Sequence, residues 1–166
     1  MKVDVCMRDR AEVLAVGVEM GLVDAHQAID WALSLIDQQR QPHWSLCDIA
    51  TSNGKHPADI AALLRSIPGS LDPSVVQDLL VGFLSHRLEQ DRSCAGRIVS
   101  VLDAIARDLR DSELKQFAHL VDDAWILAEA QIVNRTTEEV LAELRSVLAE
   151  AAERAAARGN VWMEQP

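Results

Sequence analysis

Long apolar runs are missing from this chain. No stretch approaches the roughly 20 residues that a membrane span needs, and Met1 to Arg10 hold no apolar block of the kind a secretory signal carries. Cysteines are few, with Cys6, Cys47 and Cys94 odd in number, far apart and without a CxxC pair. Reduced thiols in a cytoplasmic protein are therefore expected. Basic side chains are scarce, 16 against 26 acidic, for a formal charge of −10. Residues 1–83 hold 6 basic and 11 acidic groups, and residues 84–166 hold 10 and 15, so the acidity is spread evenly with no basic arm. Such a field repels phosphate backbones and anionic lipid and suits a basic partner. GxSxG, Walker A, HExxH and GxGxxG are all absent, which removes the local signatures of the common hydrolases, NTPases, zinc proteases and dinucleotide binders.

What the chain does have is a globular balance, 49% apolar and 25% charged over 166 residues, enough to bury a core as one domain. Its five prolines and most of its seven glycines fall between apolar stretches of helical period. The reading is all-α: a single compact domain, 1–166, of about eight short antiparallel helices, arranged as an irregular bundle or an αα-hairpin stack. Helix one runs from Met7 to Met20 and stops at Gly21. Helix two starts at a capping box, Asp24 with Gln27, and ends near Arg40. The third spans Ser45–Ser52. The fourth runs from Pro57 to just before Pro68-Gly69, and the fifth from Asp72-Pro73 to Glu89. Ser93 is expected to cap the sixth, which ends near Leu109. Ser112 or Asp111 caps the seventh, to about Val133. Thr136 with Glu139 boxes the eighth, which ends at Gly159. Val3 and Val5 give an ambiguous alternation at the start.

The apolar stripes are regular. Ile98, Val101, Leu102, Ile105 and Leu109 share a face of the sixth helix, and Val140, Leu144, Val147, Leu148, Ala151 and Ala155 share one of the eighth. The seventh carries Leu114, Phe117, Ala118, Val121, Ala124, Trp125, Ala128 and Ile132, with Leu120, Ile126 and Leu127 outside that stripe. It is expected to be central and covered on more than one side. Gly17 and Gly82, inside helices, are expected at close helix crossings.

Ile49-Ala50, Gly54, Ile60 and Leu63 stand at the spacing of a helix-turn-helix and resemble that family over about twenty residues. Asn53 and Lys55 replace its usual apolar neighbours, and Arg65, Lys55 and His56 are a thin basic complement beside Asp59, so an ordinary αα-hairpin explains the spacing as well. His43 with Cys47, and His119 with Asp122, supply two ligands each where a zinc site takes three or four. No cofactor or metal is expected, and His86 reads as a satisfied half-buried histidine. Aromatics are few, four Trp, two Phe and no Tyr, so each tryptophan is conspicuous. Trp125 reads as core, whereas Trp31 and Trp44 are candidate anchors for a partner. Glu139, Glu143, Glu150 and Glu153 fall on one flank of the eighth helix, relieved in part by Arg154, and form a candidate landing strip for basic groups.

Gly21-Leu22-Val23, then Ala28-Ile29-Asp30-Trp31-Ala32 and Ile36, then Pro42 and Trp44 resemble the opening of small all-helical, largely uncharacterised bacterial proteins, some of them like immunity proteins of toxin systems. The resemblance implies a protein that masks a toxin domain by direct contact and carries no catalytic residue. The expectation is a non-enzymatic binding protein, with Trp31, Trp44, Glu139, Glu143 and Glu150 meeting the partner. The alternatives are a helical-repeat scaffold or adaptor, a metal or small-molecule enzyme whose site is assembled from distant residues, and a DNA-binding protein.

Overall fold

The computed structural model describes residues 6–162, so the Val3/Val5 alternation lies outside the described residues. Among the described residues the fold is all-helical, with eight α-helices: α1 (Met7–Glu19), α2 (Ala25–Gln38), α3 (Trp44–Ala50), α4 (Pro57–Arg65), α5 (Pro73–Gln90), α6 (Ala95–Ile105), α7 (Ser112–Glu129) and α8 (Thr137–Ala157). A 3₁₀ turn, Arg92–Cys94, precedes α6. By backbone packing the described residues fall into two compact units, 6–76 and 77–162.

Most boundaries follow from local chemistry. Both capping boxes form: Asp24 accepts from the Gln27 amide at 2.9 Å while Gln27 returns a bond to the Asp24 amide, and Thr136 and Glu139 do the same for α8. Asp111, the nearer of the two candidates, caps α7 through the Leu114 amide at 2.9 Å. The α1 stop is a Schellman motif: Gly21 takes φ 66, its amide reaches Val18, and the Leu22 amide reaches Gly17 at 2.8 Å.

Ser93 does not cap α6. Its amide is held by Asp91 at 2.9 Å, which starts the 3₁₀ turn, and α6 begins at Ala95. The seventh helix stops at Glu129, short of Val133, because Gln131 adopts φ 54 and closes a second Schellman motif, with the Ile132 amide on the Leu127 carbonyl at 3.0 Å. No glycine marks that stop.

In residues 6–76, α1 packs on α4, α2 on α3, and α3 on α4. Arg65 at the end of α4 meets Glu19 and Glu12 of α1, and Asp72, beyond the turn that follows, meets Asp9. Leu14, Val18, Leu22, Leu46, Ile49, Ile60 and Leu64 fill the space between them. In residues 77–162, α7 packs against both α6 and α8. A Cβ on Gly96 at the start of α6 would lie 3.3 Å from Nε1 of Trp125 near the end of α7. Arg154 near the end of α8 reaches Asp111 and Glu113 at the start of α7. Both neighbours are therefore antiparallel to α7.

Two expectations about burial change. The helix buried nearly all round is α5, where Asp78, Leu79, Leu80, Val81, Phe83 and Leu84 are all buried, which a one-faced helix cannot achieve. On α7, Leu114, Ala118, Val121 and Ala128 form one buried stripe, while Leu120 is 68% and Ile126 53% exposed. Gly82 is approached by the tail rather than by a crossing helix: a Cβ there would stand 3.0 Å from that of Trp162, whose ring meets Phe83 edge-on at 5.2 Å. A close helix–helix approach is found at Gly96, against Trp125 of α7.

Candidate partner-binding surfaces

The sequence-derived anchors fall in both units. Trp44 is the first residue of α3 and 61% exposed. It sits there because His43 caps the helix: the imidazole Nδ1 receives the Ser45 amide and lies 2.7 Å from the Ser45 hydroxyl. The His43 and Trp44 rings are 5.2 Å apart. Trp31 on α2 is half-buried, and Leu33, on another side of the same helix, is 45% exposed.

Glu139, Glu143 and Glu150 lie on α8 with different duties. Glu139 closes the capping box, its carboxylate accepting from the Thr136 amide at 2.8 Å, and these bonds hold its carboxyl below the ordinary range. Glu143 is paired with Arg135, and Glu150 accepts from the Ser146 hydroxyl at 3.2 Å. Arg154 turns to α7 rather than to the glutamates, with Nε 2.6 Å from Asp111 and Nη1 3.2 Å from Glu113. Burial pushes the Asp111 carboxyl up, but Arg154 and the Leu114 amide outweigh it and leave it below its usual value.

Two charged clusters are completed by residues distant in sequence. Arg65 of α4 bonds Glu12 at 3.0 Å and Glu19 at 2.8 Å, and Glu12 also bonds Arg8. The Arg65 guanidinium is thereby raised above its ordinary value, first by Glu19, and Glu19 is lowered by Arg65. Arg65, one of the few basic residues at the helix-turn-helix spacing, is thus engaged within its own unit, and His56 caps α4 through the Ala58 amide. In the other unit, buried Asp78 accepts from Arg158 Nε and from Asn160, each at 2.8 Å. A recess beside Asp78, Arg110 and Asp111 has about 10 Å³ of room, the space of one water.

Among the described residues no group of three or more His, Cys, Asp or Glu could hold a metal ion, and no helix is long and apolar enough to cross a membrane. His86 is half-buried, with Nε2 2.9 Å from the Gln90 amide nitrogen.

A second row on α7 joins Leu120 and Leu127, which the sequence set outside the core stripe, to Phe117 and Ala124, which it set within it. Phe117, Ala124 and Leu127 are half-buried and Leu120 protrudes, spaced so that all four share one flank beside the buried stripe. Past the helix end, Ile132 is 70% exposed. Comparison with known proteins finds no matching family model, no matching curated protein and no matching solved structure. The likeness to immunity proteins therefore rests on the residues quoted for it.

Proposed function

We propose that this is a non-enzymatic protein-binding module, of the immunity type, that covers a basic toxin domain of its partner. The observation that supports the reading is the pairing of protruding apolar side chains with carboxylates on ordered helices, Leu120 on α7 beside the glutamate flank of α8. Protein interfaces use apolar anchors for affinity and a charged rim for steering and register. Trp44 is a second anchor on the other unit. With a net charge of −10, encounter with a basic domain is accelerated and falls off with salt.

Co-expression with the product of the adjacent gene tests this reading. A stoichiometric complex in size-exclusion chromatography with light scattering is expected, together with loss of that product's toxicity. Two separately eluting proteins and undiminished toxicity overturn it.

A further inference from the structure

Two rows run side by side along α7 and α8. Glu113, Phe117, Leu120 and Ala124 follow one another at helical spacing on α7, and Glu143, Val147, Glu150 and Arg154 have the same spacing on α8. The Arg154–Glu113 ion pair, 3.2 Å, shows which flank of α8 is turned to α7. From that pair the rows proceed in opposite senses, so Val147 and its two glutamates lie alongside Phe117, Leu120 and Ala124. The result is an apolar track, continued by Leu127, with Glu143 and Glu150 on one side and Gln116 and Asp123 on the other. From Phe117 to Leu127 it is about 15 Å long, roughly three helical turns.

We propose that this track receives a basic amphipathic helix of another protein. The proposal rests on the partner-binding reading above and names the element that the partner inserts. A helix laid on such a track offers apolar side chains at i, i+3, i+4 and i+7 to Phe117, Leu120 and Leu127. Lysines or arginines on its flanks then meet Glu150, Asp123 and, alongside Arg135, Glu143. Charge selects this occupant over the others. A second copy of the chain would bring like carboxylate rims together, and a phosphate backbone or an anionic membrane surface is repelled by the same rim.

Fluorescence anisotropy tests it with three labelled peptides of about 18 residues, long enough to hold a helix on binding. One is a leucine–lysine amphipathic helix, one has the same composition with the period scrambled, and one has glutamate for lysine. The first is expected to bind with a Kd in roughly the micromolar range and the others at least about tenfold more weakly. Leu120→Asp, at a position exposed enough to leave folding intact by circular dichroism, is expected to weaken the first peptide by at least about tenfold. Ile126→Asp, on the opposite side of α7, is expected to stay within about twofold. Glu143→Lys with Glu150→Lys should weaken binding and flatten its salt dependence. Equal binding of the scrambled peptide, equal loss in Ile126→Asp and Leu120→Asp, or no binding at all overturns the track. If the complex with the adjacent gene's product forms and survives Leu120→Asp, the track falls while the partner-binding reading stands. If no complex forms, that reading falls on its own test.

Discussion

Residues 6–76 and residues 77–162 place their ion pairs differently. In the first unit they form one linked network. Arg8, Glu12, Arg65 and Glu19 form a chain of ion pairs that joins α1 to α4, with Arg8 buried, and Asp9, also buried, accepts from the Asp72 amide at 3.0 Å. In the second unit charged pairs pin the helix ends, through Arg154 with Asp111, Arg158 with Asp78 and Arg145 with Glu89. The middle glutamates of α8 face outward beside an apolar row. The contrast teaches that an even acidity along a sequence conceals two placements: charge that holds helices together, and charge left exposed at a surface.

The largest effect should come from breaking the interior charge. Asp9→Ala removes the acceptor of both the Cys6 thiol, at 3.0 Å, and the Asp72 amide that begins α5. It is expected to destabilise by about 2 kcal/mol. Glu150→Ala, at an exposed position on α8, is expected to change stability by less than about 0.5 kcal/mol. Urea unfolding of the two variants measures the difference directly, and equal losses would erase the distinction between the units.

Acid sharpens the same comparison. The hydrogen bonds from Arg65 hold the Glu19 carboxyl below its ordinary value, against an opposing push from burial. A carboxyl depressed in the folded state stabilises above its unfolded pKa of about 4.3, and that stabilisation is lost as the pH falls through the lower folded value. Between roughly pH 5 and pH 3 the unfolding midpoint of the native protein should therefore fall more steeply than that of Arg65→Gln, which lacks the cause of the shift. Parallel curves would mean that solvent screens the pair and that it contributes nothing to stability.

How much of this was legible depends on how local the physics is. The two capping boxes, the Asp111 cap and the Gly21 stop each involve residues within a turn of one another, and their sequence patterns predict them. The Arg8, Glu12 and Glu19 spacing is a visible polar stripe, but its partner Arg65 lies 53 residues beyond Glu12, outside any local pattern. The all-round burial of α5 was hidden because Asp78, Ser85, His86 and Arg87 interrupt its apolar residues. On α7 periodicity found the stripe that includes the buried Leu114, yet the expectation that Leu120, outside that stripe, would be covered too was wrong, because it protrudes. Hydrophobic pattern records what a residue would gain by burial, and it does not record whether a neighbour is there to provide it.

The smallest expected effect concerns the helix stops, where the two units solve one problem with different residues. Gly21 ends α1 at φ 66 and Gln131 ends α7 at φ 54, each in a Schellman motif. A left-handed conformation costs a side-chain-bearing residue roughly 1 kcal/mol or more, whereas glycine adopts it freely but loses more chain entropy on folding. Gln131→Gly should accordingly stabilise by about 0.5 kcal/mol, and Gly21→Ala should destabilise by about 1 kcal/mol. Thermal unfolding of both variants checks the pair. If Gln131→Gly instead destabilised the protein, the glutamine side chain would be contributing more at that corner than its backbone costs, and the end of α7, next to Ile132 and the apolar row, would be held by more than its hydrogen bonds.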